Sequence, residues 1–419
     1  MSGAAGRDPR VQRARWAVGT LFLTNGALIA NVVPRYPDLV ARLDLSRTEL
    51  GGAVAAYGVG ALVLGLTGGV LVHRFGSARV ALGAVLLASA NLALVGVAGT
   101  WLVLAGALLL AGAVDAVADV AENTHGLRVE RLLGRSVLNT MHAMWSVGAV
   151  LGGSLGSLAA ALDVPVQVHL PVAGALVAAV GLLAYRRLLP GPDRDVAPVA
   201  APGAVAAGPA DGAPGSRAGR RRETASTWSA ALPLLVALGL VASSAQLMEE
   251  TTATWSALYL RGDLAAGAGA AGLGFVALQG AQFVGRLLGD PAVTRWGDVA
   301  VARVGGLLAL VAMGTGLALA DQVQVTGTVV AFALVGLGIG TVIPSAMRRA
   351  DEVPGLRPGT GLTLASTVLR VVVTVAPLAL GVVADAFGER AALTAVPLSA
   401  LLLVLMAGVL APPRPVGGR

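Results

Sequence analysis

Long hydrophobic stretches alternate with short polar segments along this chain. A helix that crosses about 30 Å of hydrocarbon at 1.5 Å per residue needs roughly 20 apolar residues. Continuous runs rich in Ala, Leu, Gly and Val argue against a membrane barrel, whose strands are about 10 residues long and alternate in polarity. The pattern therefore predicts twelve membrane-spanning helices, at about 16–36, 49–72, 78–99, 101–125, 139–161, 166–187, 229–260, 265–288, 299–320, 324–347, 359–385 and 389–411.

The composition supports a membrane protein. Hydrophobic residues make up 56% of the 419 residues, charged residues make up 13%, and the mean hydropathy is +0.78. Soluble domains carry about 25% charged residues, so this chain is far too apolar for that class. The chain contains no cysteine, which excludes disulfides, thiolate catalysis and cysteine-based metal sites.

The arginines predict the topology. The chain contains no lysine, so all 30 basic residues are arginines. Five of them fall in one alternate set of loops, Arg370 falls inside a span, and the other 24 fall in the opposite set of loops and the termini. Cytoplasmic loops of membrane proteins carry the excess of basic residues. We therefore expect a multi-pass protein of the plasma membrane with both termini in the cytoplasm, and no nucleic-acid partner.

A long polar segment divides the spans into two groups of six. It lies at 188–228, is rich in Pro, Gly and Ala, and includes an arginine-rich run at 217–222, which is typical of a flexible linker. The predicted organisation is a cytoplasmic tail at 1–15, a six-helix bundle at 16–187, a cytoplasmic linker at 188–228, a second six-helix bundle at 229–411 and a cytoplasmic tail at 412–419.

Two loops rich in glycine and arginine occupy corresponding places in the two groups. Tight turns favour glycine, and cytoplasmic loops favour basic side chains. The first loop follows the second span and contains Gly69, Arg74, Gly76 and Arg79. The second loop follows the eighth span and contains Gly289, Asp290, Arg295 and Gly297.

The first loop resembles the signature loop of the major facilitator superfamily, usually written G-x-L-A-D-R-x-G-R-K. His73 stands where that family usually has aspartate. The resemblance implies an all-α fold of twelve transmembrane helices in two six-helix halves, which rock about a site near the middle of the membrane. A second resemblance rests on residues from span four to span seven, which are Asp115, Asp119, Asn123, Gly126, Glu130, Gly134, His142, Trp145, Ser146, Gly148, Glu249, Glu250 and 255–260. They are similar to a bacterial permease branch near the fucose-permease-like transporters, although Thr254 stands where an acid is expected, and a shared fold hosts many cargoes.

The fourth span ends with acids on one helical face. A charged side chain at mid-membrane costs roughly 2.5 to 3.5 kcal/mol on insertion scales, so it usually faces a cavity or a partner. Asp115 lies about 21 Å along the span, and both a structural role and a role in the transport path remain open. Pairing with inner-loop arginines is expected for Asp119 and Glu122. The predicted inner-face network consists of Asp119, Glu122, Asn123, Arg128 and His142.

Arg370 is predicted near the middle of span eleven, where its guanidinium stays charged and needs a partner. We expect it to face the central cavity and to engage an acid of span four or seven, or an anionic group on the substrate; a structural ion pair is the alternative. Asp115 is the distant partner that we single out.

Glu249 and Glu250 lie in the outer half of span seven. Neighbouring residues on a helix point about 100° apart, so at most one is expected to face the cavity. A carboxyl group in apolar surroundings binds a proton more readily. One of Glu249, Glu250 and Asp115 is therefore the expected carrier of a coupling proton.

Five amides complete the set of candidate pathway residues. Each could line the cavity or hold helices together by hydrogen bonds. They are Asn25, Asn31, Gln246, Gln279 and Gln282.

The sequence contains no phosphate-binding loop, H-E-x-x-H helix or G-x-S-x-G turn, so we predict neither an enzyme nor an ATP-driven pump, and no metal or cofactor.

The expected function is secondary active transport of a small polar or anionic solute by alternating access, with proton coupling left open. The expected partners are the solute, the lipid bilayer and protons, and the chain is expected to be a monomer. A drug or metabolite exporter is the alternative, ahead of a membrane-embedded enzyme or a non-transporting sensor.

Overall fold

The computed structural model describes residues 8–65, 67–135, 137–191, 193, 217–354, 356 and 359–412. Within these ranges the chain is almost entirely helical and contains no strand. The α-helices are α1 Pro9–Ala30, α2 Tyr36–Leu43, α3 Arg47–Gly65, α4 Gly68–Phe75, α5 Ser77–Val97, α6 Trp101–Leu133, α7 Leu138–Ala161, α8 Val166–Tyr185, α9 Arg217–Gly262, α10 Ala268–Ala318, α11 Ala320–Ile339, α12 Val342–Asp351, α13 Thr360–Phe387, α14 Glu389–Leu393 and α15 Ala395–Met406.

Eleven helical stretches among the described residues are long and apolar enough to cross a membrane. One of them, α10, has 51 residues, and a straight helix of that length would be more than twice as long as the hydrocarbon is thick. It contains Gly297, whose φ of 79° and ψ of 158° interrupt the helical geometry. Therefore α10 is two spans joined at Gly297, and the twelve predicted spans are confirmed.

Two predicted boundaries need correction. Helix α1 begins at Pro9, inside the predicted tail 1–15, because Asp8 caps it by accepting the Arg10 N–H at 2.8 Å and proline suits the first helical turn. Helix α9 begins at Arg217, so the end of the predicted linker is helical. Its sequence from 217 to 228 contains four arginines and two alanines, which favour helices. The predictions for 1–7, 194–216 and 413–419 lie outside the described residues.

The entry into α3 follows its sequence signature. The Ser46 N–H donates to Glu49 Oε2 at 2.8 Å, and the Glu49 N–H donates to Ser46 Oγ at 3.1 Å. This reciprocal pair is a capping box, which satisfies N–H groups that have no partner inside the helix.

The glycines of the two loop motifs adopt the same unusual conformation. Gly76 joins α4 to α5 with φ 84° and ψ 145°, close to the values at Gly297. A positive φ in this range favours glycine, because a Cβ would be strained there. The two loops therefore turn in the same way at corresponding places in the chain.

The helices form an N-terminal group, α1–α8, and a C-terminal group, α9–α15. The groups meet where α3 packs on α13 and where α7 packs on α10. A Cβ on Gly51 of α3 would lie 2.2 Å from the Pro377 carbonyl oxygen of α13, so only glycine allows this approach. At the other crossing, a Cβ on Gly272 would lie 2.0 Å from Ser157 Oγ. A central gap remains between the two crossings.

Candidate functional site

A cavity of about 220 Å³ occupies the central gap, and both groups of helices contribute to its wall. The N-terminal group contributes residues of α1, α2, α3, α6 and α7 together with Val33, and the C-terminal group contributes residues of α9 and α10. The lining residues are Gly26, Ile29, Ala30, Val33, Tyr36, Val54, Tyr57, Leu108, Trp145, Ala149, Gln246, Glu249, Glu250, Ala253, Thr254, Phe275 and Gln279.

Glu249 is held in place by two amides of α10. Gln279 Nε2 donates to Glu249 Oε1 at 3.2 Å, and Gln282 Nε2 donates to Glu249 Oε2 at 2.7 Å. All three side chains are buried. Hydrogen bonds to a charged acceptor are stronger than those between neutral groups, so the two glutamines fix the orientation of this carboxylate at the cavity wall.

Glu250 also lines the cavity, and the expectation that at most one of the two glutamates would do so is wrong. The α9 residues at 246, 249, 250, 253 and 254 all line it. This i, i+3, i+4, i+7, i+8 series forms one stripe along a helix, so neighbours at i+3 and i+4 share a face. The Thr254 hydroxyl interacts favourably with the Glu250 carboxylate.

The cavity wall is acidic and aromatic. The two glutamates are its charged residues, and no basic side chain lines it among the described residues. Four aromatic side chains also face it, although aromatic residues make up 4% of the chain: Tyr36, Tyr57, Trp145 and Phe275. A wall with this charge disfavours an anionic solute, which the sequence had suggested.

A second, smaller cavity of about 40 Å³ lies within the N-terminal group. Asn25, Asn91 and Asp115 supply its polar surface together with Tyr57, and the rest of the wall is apolar. The Tyr57 hydroxyl and the Asn25 amide interact favourably with the Asp115 carboxylate. Ile29, Tyr57 and Leu108 line both cavities and separate them, and Tyr57 is the polar member of the three.

Arg370 is half-buried and is absent from the lining of the central cavity. Its electrostatic partner is Asp119 of α6 rather than Asp115. Asp119 Oδ1 in turn accepts a hydrogen bond of 2.8 Å from Asn123 Nδ2. The structure thus brings Arg370 to an acid of the fourth span, four residues beyond the one that we singled out.

The remaining members of the predicted inner-face network lie apart from one another. Glu122 is fully buried near Asp119 and forms no ion pair with any described residue. Arg128 is engaged elsewhere, since its guanidinium donates to the Pro190 carbonyl at 2.7 Å and lies 3.5 Å from Asp193. His142 packs its ring edge-on against Phe22, with 5.0 Å between ring centroids.

The transmembrane amides divide into two kinds. Asn31 is a packing residue, because its Nδ2 donates to the Ala27 carbonyl at 2.7 Å and its Oδ1 lies 3.1 Å from His169 Nε2. Asn25 lines the small cavity and Gln246 lines the central one.

The two loop motifs present parallel features at the predicted inner end. Arg74 lies over the ring of Phe75 and Arg295 lies over the ring of Trp296, with 5.3 Å and 5.7 Å to the ring centroids. Each pair directly precedes the turn glycine, Gly76 or Gly297. Gly289 allows close packing, since a Cβ there would lie 2.1 Å from Thr341 Cγ2. The side chains of Arg79 and Asp290 are exposed.

Sequence reasoning missed a hydrogen-bonded chain that holds the first loop. The Asp193 carboxylate accepts from the Ser77 N–H at 2.6 Å and from Ser77 Oγ at 2.8 Å. His125 Nδ1 lies 2.7 Å from Ser77 Oγ, and His125 Nε2 accepts the Leu189 N–H at 3.2 Å. Since Nε2 accepts and the single hydroxyl proton goes to Asp193, the proton of the neutral imidazole is on Nδ1.

Ion pairs join the two groups at the predicted outer end. Arg261 Nη1 lies 2.6 Å from Asp38 Oδ1, and Asp38 Oδ2 also accepts from Arg35 Nε at 2.6 Å. Arg47 forms an ion pair of 2.5 Å with Glu389. These contacts connect α2 and α3 of the N-terminal group to α9 and α14 of the C-terminal group.

A carboxylate of the C-terminal group also caps a helix of the N-terminal group. Asp385 accepts the Arg47 N–H at 2.7 Å and the Thr48 N–H at 2.8 Å, at the start of α3. The N-terminus of a helix favours an anion there. Towards the predicted inner end, Arg286 Nη1 donates to Ser146 Oγ at 3.0 Å. Among the described residues, the ion pairs between the groups therefore cluster at one end of the cavity.

Known proteins resemble this chain over most of its length. The sequence profile of the Major Facilitator Superfamily matches residues 18–347. An uncharacterised transporter of Sinorhizobium fredii (strain NBRC 101917 / NGR234) is 31% identical over 396 residues, which cover 93% of this chain and 96% of that protein. An uncharacterised MFS-type transporter of Yersinia pestis is 25% identical over 373 residues, which cover 87% of each protein.

Solved structures show the same fold. The nucleoside transporter NupG has a TM-score of 0.70 at 12% identity, over 96% of this chain and 98% of that chain. A bacterial homologue of the human lysosomal transporter Spinster, in an inward-facing and occupied conformation, has a TM-score of 0.68 at 12% identity, over 96% of both chains. The likeness to the fucose-permease-like branch stays a prediction. The profile match and the related transporters show that this chain belongs to the major facilitator superfamily and is a membrane transporter rather than an enzyme.

Proposed function

We propose that this protein is a secondary active transporter of the plasma membrane that moves a small solute by alternating access. The cavity between the two groups carries the proposal, because both groups line it and the ion pairs between them cluster at one end. Rocking one group against the other would expose such a cavity to each side of the membrane in turn. In this proposal, the described conformation is the one in which the cavity is closed at its predicted outer end.

The acids make protons the proposed coupling ion. Glu249 and Glu250 line the central cavity, and Asp115 lies behind Tyr57. An uncompensated carboxylate is costly to bury, and binding a proton removes that cost. One of these three acids is therefore the proposed carrier of the coupling proton, and Tyr57 is placed to pass a proton between the two cavities.

The predicted topology belongs to the same proposal. The arginine distribution supports cytoplasmic termini and a cytoplasmic linker. The proposed six-helix bundles are 16–187 and 229–411, and a single chain supplies both walls of the cavity, which supports a monomer as the transporting unit.

Spin-label distances would test alternating access, and the lack of native cysteine makes the labelling clean. One cysteine pair, at Ser46 and Ala386, spans the predicted outer end, and a second pair, at Arg135 and Glu352, spans the predicted inner end. All four side chains are exposed. In nanodiscs between pH 5 and pH 9, we expect the outer distance to lengthen in the same fraction of molecules in which the inner distance shortens. Single, unchanging distances for both pairs would contradict alternating access.

Proteoliposomes that contain a pH-sensitive dye would test the coupling. We expect solute gradients to move protons in vesicles with the native chain, and the signal to be lost when Glu249, Glu250 and Asp115 are replaced together by their amides. Solute flux without any proton movement would contradict the coupling while leaving transport intact.

A further inference from the structure

The central cavity combines two carboxylates with four aromatic rings, and this combination indicates the class of solute. Amide groups, rather than a cation, hold Glu249. A hydroxyl is the group within reach of Glu250. Arginines near the predicted outer end are engaged with Asp38 and Glu389, and Arg370 faces Asp119. No described basic side chain therefore compensates the charge of the two cavity glutamates.

Neutral solutes leave this charge uncompensated. A sugar would use the same amides and carboxylates as hydrogen-bond acceptors, but it brings no positive charge into a wall that already has two adjacent acids. Two carboxylates on one face of a helix in low-dielectric surroundings need protons or a cation. A cationic solute supplies that charge directly.

The aromatic side chains suit the same kind of solute. Aromatic rings attract cations over their faces, and cages of several rings recognise ammonium groups. Tyr36 and Phe275 are buried, and Tyr57 and Trp145 are half-buried. The cavity volume of about 220 Å³ is below the roughly 300 to 1,000 Å³ of pockets for drug-sized ligands, so the solute is compact.

We propose that the central cavity binds a compact organic cation, with its ammonium group between the carboxylates of Glu249 and Glu250 and the rings of Tyr36, Trp145 and Phe275. This inference rests on the proposed transport function and names its substrate class. The cation and the coupling proton then compete for the same carboxylates. Because the same carboxylates hold either the cation or a proton, one leaves the site when the other binds. The two are therefore carried across the membrane in opposite directions, which favours export of the cation against inward proton flow.

Four probes of similar size separate the alternatives. Benzyltrimethylammonium carries a permanent positive charge, benzyl alcohol is neutral, phenylacetate is an anion, and a hexose represents neutral polyols. Titration calorimetry on the full chain in detergent is the measurement. We expect benzyltrimethylammonium to bind at least tenfold more tightly than phenylacetate or benzyl alcohol. We also expect its affinity to rise with pH, with about one proton released per cation, measured in buffers of different ionisation enthalpy.

Substitutions locate the site. Glu249→Gln and Glu250→Gln should each weaken cation binding at least tenfold, and Phe275→Leu should weaken it about two- to fivefold. Glu352→Gln is the matched control, since it makes the same chemical change at an exposed acid outside the cavity, and it should leave binding unchanged. The proton release and the pH dependence of the native chain test the proposal without any variant, should a cavity variant fold poorly.

Two results would count against different claims. Failure of benzyltrimethylammonium to bind up to 10 mM, or binding that is insensitive to both glutamate substitutions, overturns the cation site whatever the other probes do. Binding that meets every expectation, without exchange of the labelled probe across proteoliposomes preloaded with it, upholds the cation site and overturns transport.

Discussion

Arg261 of α9 and Asp38 of α2 lie 2.6 Å apart and connect the C-terminal group to the N-terminal group at the predicted outer end. Exposed ion pairs contribute about 0.2 to 1 kcal/mol. We expect Arg261→Gln to raise the population that is open at this end by about 1.5- to 5-fold, measured as the fraction of long distances between labels at positions 46 and 386.

Arg348→Gln provides the control for this prediction. Arg348 forms an ion pair of 2.9 Å with Asp298, but both residues belong to the C-terminal group. The same substitution there should leave the outer distances unchanged. Equal effects of both substitutions would mean that the Arg261–Asp38 pair does not hold the outer end closed.

Gly51 and Gly52 offer a matched test of the crossing between α3 and α13. A Cβ at Gly51 would lie 2.2 Å from the Pro377 carbonyl oxygen, whereas a Cβ at Gly52 would lie 3.6 Å from Trp101 Cζ2, an ordinary contact. Gly51→Ala should push α3 from α13, open the outer end and lower the thermal midpoint by several degrees, consistent with a cost of about 1 to 3 kcal/mol. Gly52→Ala should do neither, and a similar response of the two variants would refute the assigned contact.

Gln282→Leu should lower the free energy of unfolding of the native state. The substitution removes the 2.7 Å hydrogen bond to Glu249 Oε2 and leaves that oxygen without its donor. A hydrogen bond to a charged group contributes about 1.5 to 3 kcal/mol. Gln246→Leu is the comparison, since Gln246 lines the cavity and is not a donor to Glu249 in the structure. Thermal unfolding in detergent should show the larger loss for Gln282→Leu, and the reverse order would contradict the role given to Gln282.

Asp193→Ala should loosen the first loop. The native carboxylate accepts both the N–H and the hydroxyl of Ser77 at the start of α5. Loss of a helix cap costs about 0.5 to 2 kcal/mol, so hydrogen exchange at the Ser77 amide should become roughly 2- to 30-fold faster. Asp290→Ala, at an exposed acid of the second loop, should leave that amide unchanged. Unaltered exchange in Asp193→Ala would show that another group caps α5.

Local features of the fold followed from the sequence because they depend on nearby residues. The apolar runs placed all twelve spans, and Ser46 and Glu49, three residues apart, form the capping box that such a spacing favours. The helical starts at Pro9 and Arg217 were missed because the polar composition of those segments outweighed their helix-forming residues. His73 stands where the signature of the first loop usually has aspartate, and Asp193 reaches that loop from beyond α8.

The site depended on contacts that sequence separation conceals. The sequence identified Glu249, Gln279 and Gln282 as candidates. It did not show that the two glutamines contact Glu249, because they lie 30 and 33 residues further along the chain, on another helix. Arg370 was recognised as needing an acid, and a shift of one helical turn decided between Asp115 and Asp119. The aromatic wall was unrecognised because Tyr36, Tyr57, Trp145 and Phe275 come from four separate helices and look like ordinary apolar residues in sequence.

The contact between α3 and α13 has a mechanical consequence. Gly51 faces a carbonyl oxygen of α13, and Gly381 of α13 faces the Arg47 carbonyl oxygen of α3, where a Cβ would lie 2.5 Å away. Surfaces made of main chain can roll over one another without any side chain having to change rotamer. Resistance to opening then comes mainly from the charges at the rim, which salt screens. We expect the rate at which the outer end opens to increase with ionic strength, because salt weakens the ion pairs at the rim while the main-chain contact between α3 and α13 is unaffected.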